Sequence, residues 1–131
     1  MAKLDHINFT VADFKESVAW YKKVFHFELV EEGKKPNGVQ WGILRNGDSM
    51  LAISEYPDRK WCLNDKHHKS YHFGLRLVDQ KEWEEKIKEH NLEVFYGGAI
   101  SYPHSTSWYV KDPTGYEIEV AIWNNNEVNF S

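Results

Sequence analysis

His6, His72 and Glu119 are the residues of this chain whose types and placement suit metal chemistry, because each lies in a stretch that reads as a β-strand. Two imidazole nitrogens and one carboxylate oxygen form a donor set suited to Zn²⁺, Mn²⁺, Fe²⁺, Co²⁺ or Ni²⁺, with coordination positions left for water and substrate. Strand alternation supplies the argument for the glutamate. Ile118, Val120 and Ile122 make one apolar face that must pack under helices, so Glu117, Glu119, Ala121 and Trp123 share the other. A carboxylate in the middle of so apolar a strand is costly to bury without a partner. Glu117 lies nearer the turn and is expected to reach water more easily than Glu119. The spacing alone leaves a plainer alternative open, since a strand histidine is more often a satisfied core or edge residue than a ligand.

The elements that carry these residues read as one pattern written twice. His6 and Asp13 stand seven positions apart, as do His72 and Asp79, and a helical apolar periodicity follows each aspartate. Aspartate at that point is a helix N-cap. The spacing predicts strands over Lys3–Val11 and Tyr71–Val78, and helices over Phe14–Phe25 and Gln80–His90, the second burying Trp83, Ile87 and Glu84. In the first half, Phe27–Val30, Val39–Arg45 and Ser49–Ser54 read as strands, the last two joined by the hairpin signal Asn46-Gly47-Asp48. Glu31 to Gly38 reads as a charged turn segment. In the second half, Leu92–Tyr96, Ser105–Lys111 and Tyr116–Trp123 read as strands, the last two joined through Asp112-Pro113-Thr114-Gly115. The expectation is an α+β fold of two β-α-β-β-β repeats, about 3–55 and 70–123, forming a curved eight-stranded mixed sheet around a cleft. One domain spans 1–131 in this reading, with Tyr56 to Lys69 as the connector.

Composition bounds the rest. At 131 residues with 41% hydrophobic and 15% aromatic content, the chain is long and apolar enough for a real core. A net charge of −4 and no Lys/Arg cluster make nucleic acid an improbable partner. The single cysteine, Cys62, excludes an intramolecular disulfide framework and suits a reducing compartment. No hydrophobic leader follows Met1 and no apolar run approaches membrane-spanning length, so a soluble cytoplasmic protein without membrane partners is expected. His67 and His68 fall in the connector as solvated residues. His104, beside Pro103, is an acid/base candidate at the cleft mouth, as is Glu117. His26 and His90 close helices. Trp41 and Trp123 are candidate cavity walls, whereas parity puts Trp108 in the core.

Three stretches resemble the vicinal-oxygen-chelate superfamily: Leu4 to Asp13 with Ser17 and Trp20-Tyr21, then Tyr71 to Leu75, then Asp112 to Val120. That superfamily includes glyoxalase I, extradiol dioxygenases, fosfomycin-resistance thiol transferases and bleomycin-resistance proteins. The resemblance implies that His6, His72 and Glu119 occupy the metal-ligand places. It also implies that Ala52, which cannot coordinate, stands where glyoxalase I-like proteins carry a fourth ligand. Ser107 and Tyr109 match places where fosfomycin-resistance enzymes present hydroxyls to substrate, while the tail from Val120 to Ser131 lacks the Lys and Arg that those enzymes use there. Two functions follow as expectations. The first is a divalent-metal enzyme acting as a Lewis acid on a small oxygen-bearing substrate, by lyase, thiol transferase or dioxygenase chemistry. The alternative is a non-catalytic small-molecule binding protein of the bleomycin-resistance type. The resemblance further implies a homodimer with shared sites, His6 coming from one chain and His72 with Glu119 from the other.

Overall fold

A computed structural model describes residues 1–58 and 72–129. The connector from 59 onward, with Cys62, His67 and His68, lies outside the described residues. The chain divides into two compact units, Met1–Leu63 and Asn64–Ser131.

The first unit runs β1 (Ile7–Val11), α1 (Phe14–Phe25), β2 (Glu28–Lys34), β3 (Gln40–Asn46) and β4 (Ser49–Glu55). Its sheet has the order β1-β4-β3-β2, with β1 parallel to β4 and the other pairs antiparallel. Asp13 caps α1 as its spacing predicts, accepting the Glu16 N–H at 2.9 Å. A second orphan donor, the Phe14 N–H, goes to Glu55 Oε2 at 2.8 Å, so the end of β4 holds the start of α1. Helix α1 buries Phe14, Ser17, Trp20, Tyr21, Val24 and Phe25 on one face. Trp20 packs edge-on against Tyr21 and Phe25, with ring centroids 4.9 and 5.5 Å apart. Gly42 lies beneath this face, where a Cβ would come within 2.8 Å of the Phe14 ring.

Two boundaries differ from the sequence reading. β1 begins at Ile7, so His6 sits just ahead of the strand. β2 continues through Glu31 to Lys34, which read as a turn, because it pairs with β3 as far as Gln40 after a bulge between Leu29 and Glu31. Charged side chains on that edge strand look like a turn in sequence, yet they are the usual way to protect an open edge.

The second unit runs β5 (His72–Arg76), α2 (Gln80–Glu89), β6 (Ile100–Ser101), β7 (Ser105–Lys111) and β8 (Glu117–Trp123). Its sheet order is β5-β8-β7-β6, again with one parallel pair, β5 with β8. Asp79 caps α2 through the Glu82 N–H at 3.0 Å. Trp83 is buried and Ile87 partly so, but Glu84 is exposed. Among the described residues there are thus eight strands and two α-helices, an α+β fold whose strands form two four-stranded mixed sheets, each repeating β-α-β-β-β. The predicted strand Leu92–Tyr96 is absent. Only Val94 bridges to Val110, and a short 3₁₀ turn follows over Phe95–Gly97. Tyr96, Gly97 and Gly98 take φ of 61°, 79° and 118°, a left-handed run that no strand accommodates.

Asp112 locks the β7–β8 turn. Its Oδ1 accepts the N–H groups of Thr114, Gly115 and Tyr116 at 3.0, 2.9 and 2.8 Å, and the residue is 3% exposed. Asp112→Ala should therefore destabilise the protein by about 2–4 kcal/mol, from unsatisfied buried donors at ~1–3 kcal/mol each with partial relaxation. Asp112→Asn, which keeps one acceptor oxygen, should cost clearly less. Urea denaturation followed by circular dichroism checks the order, and equal midpoints for the two variants would contradict this account.

Candidate active site

In the second unit, strand register places one cluster of polar side chains on the face opposite the core. Ile118, Val120, Trp108 and Val110 are buried on the other face of the strands, at 0–3% exposure. The register pairs Tyr109 with Glu119 and Ser107 with Ala121 across β7–β8, and His72 with Glu117 across β5–β8. Cross-strand partners share a face, so His72, Glu117, Glu119, Ser107 and Tyr109 stand together.

The cluster is joined by hydrogen bonds and one longer ion-pair contact. His72 Nε2 lies 2.9 Å from Glu119 Oε2, and His72 Nδ1 lies 3.4 Å from Glu117 Oε2. Gly74 stands opposite Glu119 in the register, where a Cβ would lie 4.0 Å from Glu119 Oε2. Glu119 Oε1 accepts the Ser107 hydroxyl at 2.8 Å and the Tyr109 hydroxyl at 3.2 Å. The hydroxyls of Tyr102 and Tyr109 are 2.8 Å apart. The Tyr96 hydroxyl donates to Glu117 Oε1. The Tyr109 ring meets the His72 ring edge-on, with centroids 5.6 Å apart.

Tyr96 and Tyr109 both hold their protons more tightly than a free phenol. The bond to the Glu117 carboxylate, then burial, pushes Tyr96 up to about 12. Burial first, then the bond to Tyr102 and the charge of Glu119, raises Tyr109 as well.

Glu117 is not the more hydrated of the two carboxylates. It is 2% exposed, while the Glu119 side chain is 23% exposed. Alternation assigns a face but not a depth, and Tyr96, arriving from the turn before β6, covers Glu117. The Glu119 side chain borders a cavity of about 540 Å³, whose wall also includes His104, Tyr102, Tyr109 and Trp123. His104 is half-buried there.

His6 and Trp41 belong to the first unit. His6 is half-exposed, with Nδ1 2.7 Å from Asp5 Oδ2. Trp41 is half-buried, its ring against Gly33 of β2. Among the described residues no three His, Cys, Asp or Glu side chains converge on one point. The residues that the sequence reading missed are Tyr96 and Tyr102. Their only signal is position, beside Gly97-Gly98 and Pro103, where loops fold back over a sheet.

The donor pair fits a divalent ion. Two cis ligands at about 2.0–2.2 Å from an octahedral metal stand about 3 Å apart, and the nitrogen–oxygen pair of His72 and Glu119 stands at 2.9 Å. The other carboxylate oxygen of Glu119 is taken by two hydroxyls, which leaves Oε2 as the facing donor.

A family model described as Glyoxalase/Bleomycin resistance protein/Dioxygenase superfamily matches residues 3–120. The chain belongs to that superfamily. Among relatives of this glyoxalase-superfamily chain is the metallothiol transferase FosB of Staphylococcus epidermidis, 25% identical over 122 residues, covering 92% of this chain and 81% of FosB. FosB of Bacillus licheniformis is 27% identical over 125 residues, covering 89% and 73%. Among solved structures, a glyoxylase/bleomycin resistance protein/dioxygenase domain from Frankia superposes with a TM-score of 0.78 at 14% identity, covering 95% of this chain and 99% of that one. The fosfomycin resistance protein FosX of Listeria monocytogenes, complexed with Mn(II) and sulfate, gives 0.72 at 16% identity, covering 95% and 94%. These likenesses show the glyoxalase fold. No helix of the described residues is long and apolar enough to cross a membrane.

Proposed function

We propose that this chain is a divalent-metal-dependent enzyme acting on a small oxygen-bearing electrophile, with thiol transfer its chemistry. The observation that carries the reading is the 2.9 Å pair of His72 Nε2 and Glu119 Oε2, set on adjacent strands of a glyoxalase-superfamily fold. The FosB relatives, named metallothiol transferases, favour thiol transfer over lyase or dioxygenase chemistry. His72 and Glu119 would hold the ion, with His6 as third ligand. Zn²⁺, Mn²⁺, Fe²⁺, Co²⁺ and Ni²⁺ all suit two nitrogens and one oxygen. When bound, the ion supplies Lewis acidity toward the substrate's oxygen.

The chain's own residues do the rest. Ser107 and Tyr109 hold Glu119 by its Oε1, and Tyr102 supports Tyr109. Trp123 and Tyr109 line the cavity beside Glu119. His104 is the acid/base candidate on that wall. In thiol transfer a carbon–sulfur bond forms as a carbon–oxygen bond breaks, and the thiol proton ends on the departing oxygen. His104, on the cavity wall, would carry that proton.

One domain over 1–131 then works as half of a homodimer, each site taking His6 from one chain and His72 with Glu119 from its partner. Wild-type protein purified without a His tag should hold about one transition-metal ion per chain by elemental analysis, and His72→Ala should hold far less. His6→Ala chains exchanged with Glu119→Ala chains should regain metal in the heterodimer, which carries one intact site. Confirmed heterodimers without metal would place all three ligands in one chain. Wild-type protein that takes up none of the five metals, yet binds an aromatic ligand, would replace the enzyme with a binding protein.

A further inference from the structure

We propose that Glu117 is a positioning residue that, held by the Tyr96 hydroxyl, fixes the His72 ring through Nδ1 and thereby aims Nε2 at the metal. This rests on the metal reading above.

Glu117 is a carboxylate at 2% exposure on a strand face, a position that needs a strong reason. Its Oε1 accepts the Tyr96 hydroxyl, and its Oε2 faces His72 Nδ1 at 3.4 Å, an ion-pair separation longer than a hydrogen bond. The Tyr96 hydroxyl gives this carboxylate one donor, and an imidazole that ligates through Nε2 keeps its proton on Nδ1, the nitrogen facing the other oxygen. Glu117 and Glu119, two apart on one strand, therefore grip opposite nitrogens of the same ring. The Tyr109 ring meets its edge, so the imidazole is restrained from three directions. A ligand histidine whose second nitrogen meets a carboxylate has its tautomer and ring plane set, and its donor strengthened. His6 shows the same arrangement, with Asp5 at its Nδ1. The Tyr96 backbone is held at a φ of 61°, an uncommon conformation for a bulky residue, and that turn is what brings its hydroxyl to Glu117.

The test is Co²⁺ titration with chelator competition, read by the visible absorption of bound Co²⁺, alongside thermal melting. Glu117→Ala should weaken Co²⁺ binding by about 10- to 100-fold, as loss of outer carboxylates does, and shift the Co²⁺ spectrum. Glu117→Gln keeps an acceptor oxygen for Nδ1 and should recover part of the affinity, giving the order Glu, Gln, Ala. Tyr96→Phe removes one hydroxyl from a half-exposed side chain, keeps the fold, and should weaken binding several-fold. If the Glu117 variants do not fold, Tyr96→Phe decides alone. Wild-type affinity and spectrum in the folded variants would overturn the proposal while leaving the metal site standing. Wild-type protein that binds no Co²⁺ would overturn the metal reading and this proposal with it.

Discussion

Glu119→Gln should leave the protein folded and abolish the metal binding proposed for it. The exchange keeps the shape of the side chain and an oxygen to accept the Ser107 and Tyr109 hydroxyls, now bonded to Glu119 Oε1 at 2.8 and 3.2 Å. The amide nitrogen then takes the place of Oε2, 2.9 Å from His72 Nε2. An amide nitrogen has no lone pair to offer a cation, and the ligand's negative charge is gone. Altering groups outside the ligand set already costs about 10- to 100-fold in metal affinity, so losing a ligand should cost at least about 100-fold. The melting temperature should stay near wild type, because the polar contacts are replaced one for one. Competition against a chelator of known affinity measures the loss. Undiminished binding in Glu119→Gln would remove Glu119 from the ligand set and take the proposed function with it.

Trp83→Ala should be the most damaging single truncation in the second unit. Helix α2 buries Trp83 alone, at 1% exposure, whereas α1 buries six residues. The rest of α2 is Gln, Lys and Glu, with Ile87 half-covered, so this indole carries most of the helix's attachment to its sheet. Emptying a buried tryptophan site costs about 3–5 kcal/mol, against a total stability of about 5–15 kcal/mol for a typical domain. Chemical denaturation followed by circular dichroism should show a midpoint far below wild type. Lys81→Ala, on the exposed side of the same helix, should stay within about 0.5 kcal/mol. A Trp83→Ala midpoint near that of Lys81→Ala would mean that α2 is held by something other than its buried face.

What the residues announced and what they concealed divide along a physical line. Local chemistry was legible: Asp13 and Asp79 each cap a helix by accepting the N–H three positions on. The Asn46-Gly47-Asp48 hairpin forms with Asn46 paired to Ser49 and Gly47 at a φ of 58°. Alternation along β7 and β8 sorted Trp108 and Ile118 to the core and Glu119 to the polar face. Depth and closure were not legible. Glu117 lies deeper than Glu119 because Tyr96, twenty-one residues earlier, covers it. Leu92 to Tyr96 has a strand's composition, but the left-handed turn at Tyr96 is a tertiary requirement that no nearest-neighbour pattern encodes. β2 ran past its apolar residues because pairing with β3, not its own sequence, supplied the support.

The β7–β8 turn closed by Asp112 also bears on the order in which the site comes into being. Ser107, Tyr109, Glu117 and Glu119 all ride on that one hairpin, and hairpins close within about 1–10 μs. His72 reaches Glu119 across forty-seven residues, through a parallel strand pairing that must wait for a long loop to close. On loop-closure grounds the carboxylates and hydroxyls are expected to come together early and locally, and the imidazole to join them late. A ligand that bridges His72 and Glu119 recognises only the finished fold and clasps its last-made pairing to its first.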